Sequence, residues 1–180
     1  MPRRFAHALV IGGTGMLAGA TRYVAARSQR LTVVARGAEA ACRNMGLDAG
    51  AACPADWRAR AAFLAAVSPR LGSPLPDLAL IWMHASGERA ALGLLEALAA
   101  APVLVVHVRG SAAGDPRQGH EAIDALAARA ASMRFARVLL GSRMLAEGAR
   151  RWLTDEEISA GAIEAVESGR DVVVGDPRPA

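Results

Sequence analysis

The 180-residue chain contains no lysine: all 21 of its basic side chains are arginines. No residue can therefore form a Schiff base or act as a lysine acid or base. There is one tyrosine, Tyr23, and aromatic residues make up only 4% of the chain. Cysteine is nearly absent as well. Cys42 and Cys53, eleven positions apart, read as small buried residues rather than a disulfide or a metal pair. The four histidines, His7, His84, His107 and His120, lack metal-binding spacing. No apolar run approaches the roughly 18 residues of a membrane span, because Arg or Gly interrupts each one. The arginines are scattered, with no basic run and no interleaved aromatics, which argues against nucleic acid as a partner despite a net charge of +4. The opening "MPRRFAHALVIGGTG" sets basic residues before an apolar patch, as a signal peptide does. Glycines break that patch after about seven residues and no cleavage site follows, so it reads as a strand and a cytoplasmic location is expected.

What the chain does have is apolar pattern. Hydrophobic residues are 53% of the sequence, and the length suits one domain, residues 1–180, with a substantial core. Short β-branched runs lie at 5–11, 31–35, 78–83, 102–108, 135–140 and 171–175, apolar on both faces as buried parallel strands are. Between them stand alanine- and leucine-rich stretches of helical period at 15–29, 38–46, 56–68, 87–100, 119–132 and 154–168. A weaker strand around 47–52 completes the alternation. Such alternation predicts a single doubly wound α/β (Rossmann) domain, a parallel sheet of about seven strands with helices on both faces.

Within that frame, Gly12-Gly13-Thr14-Gly15-Met16-Leu17-Ala18 falls between the first strand and the first helix. It fits G-x-x-G-x-x-G with Ala18 in the last place, and G-x-G-x-x-A from Gly13. One glycine permits the tight bend, Gly15 lets the backbone approach a pyrophosphate, and a small Ala18 lets the helix close onto the strand. The helix N-terminus then favours the anion. The plainer alternative is a βα turn that needs glycine only for its dihedrals. Arg36 stands just past the second strand, where an acid would select NAD and an arginine accommodates the extra phosphate of NADP. NADP(H) is the expected cofactor, with NAD(H) as the alternative.

These segments resemble a short-chain dehydrogenase/reductase of the compact, atypical kind. "GGTGML" resembles the glycine turn of atypical and extended members, and "VVAR" resembles their second-strand end. "LALIWMHASG" occupies the place of the fourth strand and its Asn-Asn-Ala-Gly turn; "VLVVHVRGSA" resembles the fifth strand, which in the family ends near a catalytic serine. The resemblance implies cofactor contacts from Gly12, Gly13, Thr14, Gly15, Met16, Leu17, Arg36 and His84, with Asp56 as the adenine-reading acid. It also implies a small-molecule substrate and a homodimer. The family's Tyr-x-x-x-Lys pair has no counterpart, since Tyr23 lies in the first helix and lysine is absent.

Position alone brings His84, Ser86, Ser111, Asp115 and His120 to the carboxyl ends of the fourth and fifth strands. Ser111 matches the family's serine and could polarise a carbonyl. His84 or His120 could supply a proton in place of tyrosine. His107, inside an apolar strand, reads as a core residue. Near the end, Thr154 followed by Glu157 predicts a capping box, with Trp152 and Leu153 stapling the turn to the core. Two functions remain open at this point: an NADP-dependent oxidoreductase whose proton donor is not tyrosine, and a non-catalytic dinucleotide-binding sensor or regulatory partner.

Overall fold

A strand whose successive residues are all apolar needs cover on both faces, and the chain supplies it by alternating strands with helices. The computed structural model describes residues 5–110, 119–145 and 148–176. In chain order its elements are β1 (Phe5–Ile11), α1 (Ala18–Ala25), β2 (Ser28–Ala35), α2 (Ala38–Asn44), β3 (Ala52–Pro54), α3 (Arg60–Leu71), β4 (Leu78–Trp82), α4 (Glu88–Leu98), β5 (Leu104–Gly110) and α5 (Glu121–Arg129). They continue with β6 (Arg134–Leu140), β7 (Ser142–Met144), β8 (Arg150–Trp152), α6 (Asp155–Ser168) and β9 (Val172–Val174). Seven strands form one sheet in the order β3-β2-β1-β4-β5-β6-β9, and each neighbouring pair is parallel. The doubly wound arrangement expected from the apolar pattern is the one observed.

Side-chain parity divides the core. Ala8, Val10, Leu78, Leu80, Leu104, Val106 and Val108 pack on one face with Leu17, Ala20 and Val24 of the α1 segment and Ile158, Ala162 and Ala165 of α6. Leu9, Ile11, Ala79, Ile81, Val103 and Val105 pack on the other with Phe63 and Val67 of α3, Leu94 and Leu95 of α4, and Ile123 and Leu126 of α5. Full burial of each large aliphatic chain contributes about 1.5–3 kcal/mol.

Several expected boundaries move. The first helix ends at Ala25 rather than 29, and β2 begins at Ser28 because Phe5 and His7 of β1 pair with Ser28 and Arg30. Backbone pairing thus recruits polar residues that hydropathy assigns elsewhere. The strand expected around 47–52 is instead a short 3₁₀ turn at Ala49–Ala51. Asp48 Oδ1 accepts from Gly50 N at 2.6 Å, and the strand starts at Ala52. The antiparallel hairpin β7–β8 was not anticipated.

α6 starts as expected. Thr154 and Glu157 form a reciprocal capping box, and buried Leu153 packs with Ile158 as a staple. Trp152 does not join that staple. It is 41% exposed on β8.

Candidate functional site

The glycine turn is shaped by three distinct constraints. Gly12 has φ +71, and a Cβ there would run into the Trp82 carbonyl oxygen, so β1 can turn beside β4 only with glycine. A Cβ on Gly13 would meet Thr21 Oγ1 and Val10 Cγ1. Thr21 in turn donates to the Gly13 carbonyl at 2.7 Å, tying the turn to α1. Gly13 therefore makes a close helix–strand approach of its own. Gly15 differs from both: nothing stands within 4 Å of the position a Cβ would take. It opens onto free space.

At the start of α1, Leu17 contributes no side-chain cap, and the first turn carries no acid. The positive end of the helix is thus left to whatever occupies the space beside Gly15. From α6, Ser159 Oγ donates to the Met16 carbonyl at 3.0 Å and supports the turn from behind. A pyrophosphate requires a bend, a close backbone approach and an uncapped helix start, and residues 12–17 meet all three demands.

Arg36 and Asp56 come together because β2 and β3 end side by side, with Ala35 paired to Pro54. Arg36 is exposed, and among the described residues no hydrogen bond or ion pair holds its guanidinium. Asp56 is engaged by Arg58, whose Nη2 lies 2.7 Å from Oδ2 and whose backbone N–H donates to Oδ1 at 3.0 Å. Those bonds hold the Asp56 carboxyl down at about 2. Two cations and one carboxylate thus meet at the end of the sheet where a 2′-phosphate would be read.

At the ends of β4 and β5 the two sheet faces differ. On the α1/α6 face the Trp82 indole spans the gap between two glycines. Its Cδ1 is 3.3 Å from the Cβ position of Gly12, and its Cη2 is 2.8 Å from that of Gly110. Trp152 Cη2 approaches the same point on Gly110 at 3.8 Å. His84 follows, its ring 5.5 Å from Trp82 and 6.4 Å from Trp57 between centroids.

On the α5 face, Arg109 is only 2% exposed. Its Nη1 and Nη2 donate to Asp124 at 3.1 and 2.6 Å, and its Nε donates to His107 Nδ1 at 3.2 Å. His107 must then carry its proton on Nε2 and be neutral. Arg137 donates to Asp124 at 3.0 Å and pairs with Asp171 at 3.4 Å. Two guanidiniums thus face two carboxylates, and a protonated histidine would unbalance them. Burial first and Arg109 second push both His107 and His120 below the usual imidazole range. Burial works against ionisation of Asp124, but the bonds from Arg109 and Arg137 prevail and lower it.

No family model matches the chain, and no curated protein matches it. Solved structures do. BdcA in complex with NADPH superposes with a TM-score of 0.67 at 12% identity, covering 99% of this chain and 96% of its own. A short chain dehydrogenase from Burkholderia cenocepacia J2315 in complex with NADP gives 0.65 at 17% identity over 98% and 90%. The NADH-dependent reductase A1-R′ complexed with NAD gives 0.62 at 14% over 96% of each. The chain has the short-chain dehydrogenase/reductase fold.

On that fold the expected residues separate into groups. Gly12 to Leu17 form one turn, and Arg36 and Asp56 share the β2/β3 end. His84 stands exposed among the tryptophans, while His120 stacks edge-on against His107 at 5.1 Å on the opposite face. The two candidate proton donors therefore do not belong to one cluster. His107 is a core residue, as its apolar neighbours suggested. Ser111 and Asp115 lie outside the described residues. Trp82, Trp57, Arg58 and Ser159 are not singled out by the sequence; in the structure all three tryptophans of the chain follow or end strands. Among the described residues no group of His, Cys, Asp and Glu is placed to hold a metal ion, and no helix is long and apolar enough to cross a membrane. A shallow cavity of about 830 Å³ opens beside Arg22, Ser28, Arg30 and Asp48, and none of the expected site residues lines it.

Proposed function

We propose that the chain is an NADP(H)-dependent oxidoreductase whose proton donor is not tyrosine. The observation that carries the reading is the space beside Gly15, next to an uncapped, acid-free helix start. The backbone of Gly13 to Leu17 would hold the pyrophosphate there. Arg36, with no hydrogen bond or close ion pair among the described residues, would take the 2′-phosphate; Arg58 would be less available because Asp56 engages it. Asp56, held by Arg58, would be a poor reader of adenine. The bound reduced cofactor supplies the hydride. Ser111 would orient a substrate carbonyl, and His84, exposed at the end of β4, would give the proton. His120 is the weaker candidate, because burial and Arg109 disfavour its charged form.

A second reading has its own support. In the family the helix after the fifth strand brings the acid–base pair. Here that helix turns Asp124 toward Arg109 and Arg137 in a self-contained ionic cluster. A dinucleotide sensor without chemistry would have the same arrangement.

Titration with NADPH and NADH, read by energy transfer from the tryptophans to the reduced nicotinamide, tests the binding. Turnover at 340 nm against carbonyls, enones, imines and quinones tests the chemistry. The expected result is NADPH binding with turnover that falls in His84→Ala. Binding without turnover selects the sensor, and binding of neither cofactor removes both readings.

A further inference from the structure

All three tryptophans of the chain follow or end strands, and Trp57 and Trp82 flank His84 in a row, Trp57 against the α3/α4 side of the core and Trp82 against the α1/α6 side. Trp82 and Trp152 come from β4 and from the β7–β8 hairpin, far apart in sequence, and their benzo edges converge on Gly110, where a Cβ would stand 2.8 and 3.8 Å from them. The pairs in the row are tilted at 48° and 63°, so none of them is stacked face to face. The row is also partly open. His84 is exposed, Trp57 and Trp82 are half-buried, and Trp152 is 41% exposed. Met144 and Leu145, on the same hairpin, are 56% and 44% exposed.

The hairpin's charges are answered within it and by its neighbours. Arg143 and Arg151 pair with Glu157 at 3.1 and 2.8 Å, and Arg150 pairs with Asp176 at 2.9 Å. An aromatic wall whose neighbouring arginines are each already paired offers ring surface more than free charge, and so suits an uncharged planar ring.

The residue inventory narrows the class further. A hydride added to an alkyl ketone leaves an alkoxide, at least as basic as hydroxide, and demands a general acid. A hydride added to a quinone leaves a phenolate, whose conjugate acid resembles tyrosine at about pKa 10. This chain has no lysine, and its one tyrosine is committed in α1 to Glu167. We propose that the row formed by Trp57, His84, Trp82 and Trp152 binds a neutral, planar quinone by stacking. Resting on the oxidoreductase reading above, the reaction balances as two-electron reduction. The reduced nicotinamide gives a hydride and becomes the oxidised cofactor, a proton enters through exposed His84, and the quinone leaves as hydroquinone.

The test uses the full-length protein with 1,4-naphthoquinone and no cofactor, read by quenching of tryptophan fluorescence and by equilibrium dialysis. Intact mass is checked for adducts, since both cysteines are buried and should stay unmodified. Cyclohexanone serves as the non-planar control. Trp152→Ala, at an exposed site, is expected to fold and to weaken naphthoquinone about tenfold while leaving NADPH affinity within twofold. Met144→Ala, at a site further along the hairpin, is expected to fold and to change naphthoquinone affinity less than Trp152→Ala does. Equal naphthoquinone affinity in wild type and Trp152→Ala, cyclohexanone binding as tightly as naphthoquinone, or no quinone binding overturns the stacking site. Quinone binding with no NADPH binding retains the stacking site and overturns the reductase reading, so the two failures are told apart.

Discussion

The carboxyl ends of β4 and β5 carry two faces built on opposite plans. On the α1/α6 face, glycines withdraw and leave room: Gly15 faces empty space, and Trp82 crosses between Gly12 and Gly110 with Trp152 beside it. On the α5 face, the two guanidiniums are already answered. Arg109 is held by Asp124 and His107, and Arg137 by Asp124 and Asp171. The first plan leaves donors, ring surface and a helix dipole for an outside molecule. The second consumes its charges internally. An ionic cluster near a crevice is therefore not evidence of chemistry when each member has its partner. The informative groups are the ones the fold leaves over.

The sharpest way to break the comparison is to remove a partner on the closed face. Asp124→Ala would leave Arg109 buried and uncompensated, and loss of one member of a buried ion pair costs about 3–5 kcal/mol. Urea unfolding should show that loss, with NADPH affinity unchanged wherever the protein remains folded. Arg109→Met removes the buried charge itself. Asp124 keeps Arg137, and the deficit falls to about 1–2 kcal/mol, chiefly from the donor lost by His107 Nδ1. Equal costs for the two variants would show that Arg109 has access to water.

On the open face the same experiment gives the opposite division. Gly12→Ala meets a positive φ and a backbone carbonyl and should cost about 2–3 kcal/mol. Gly15→Ala meets nothing, so stability should hold or rise by about 0.5 kcal/mol. Its methyl would enter the space assigned to the pyrophosphate, and NADPH should weaken about tenfold or more. A folded Gly15→Ala protein with unchanged NADPH affinity would remove the ligand from that turn.

The two faces also differed in how far they could be read beforehand. Strands apolar on both sides and glycines at a strand-to-helix step are local signals, and the sheet order and the turn followed from them. The closed face depends on Arg109 meeting Asp124, fifteen residues on and across a strand–helix packing that no local period encodes. The β7–β8 hairpin is not legible because "SRMLAEGARRW" alternates weakly and is rich in arginines that pair with Glu157 and Asp176, outside the segment. Trp152 looked like a staple because it precedes a capped helix, yet Leu153 alone fills that role. β3 was displaced by a single competing bond, from Gly50 N to Asp48.

Acid should unbalance the closed face first. His107 and His120 are depressed in the folded protein, and burial with Arg30 brings His7 down to about 4. The unfolded chain takes up these protons near pH 6.5 while the folded chain does not. Their contribution to stability is therefore complete above pH 6.5 and declines as pH falls toward the folded values. Around the cluster, Glu88 of α4 and Asp124 of α5 act on Arg109, and Glu121 of α5 acts on His120. Unfolding compared at pH 7.5 and 5.5 avoids most of their titration. Stability should drop by roughly 1–2 kcal/mol over that interval, and His120→Gln should flatten the slope. An unchanged slope would mean that His120 titrates alike in both states.

The smallest effect concerns Arg36, which lies on the open plan but at its exposed end. A solvent-facing guanidinium gains little from any one contact, because water and salt screen it. It has no hydrogen bond among the described residues to lose and only a longer-range attraction to Asp56, so Arg36→Ala should leave stability within about 0.5 kcal/mol. A phosphate contact from arginine is charge-assisted and two-pronged, worth about 1 kcal/mol at such a site, or roughly fivefold in affinity. That loss should fall on NADPH and spare NADH, which has a hydroxyl where the phosphate would be. Raising ionic strength should shrink the NADPH preference of the wild type toward that of the variant. If both cofactors weaken equally, Arg36 does not read the 2′-phosphate. The preference then passes to Arg58, whose hold on Asp56 would have to be released for it to reach a ligand.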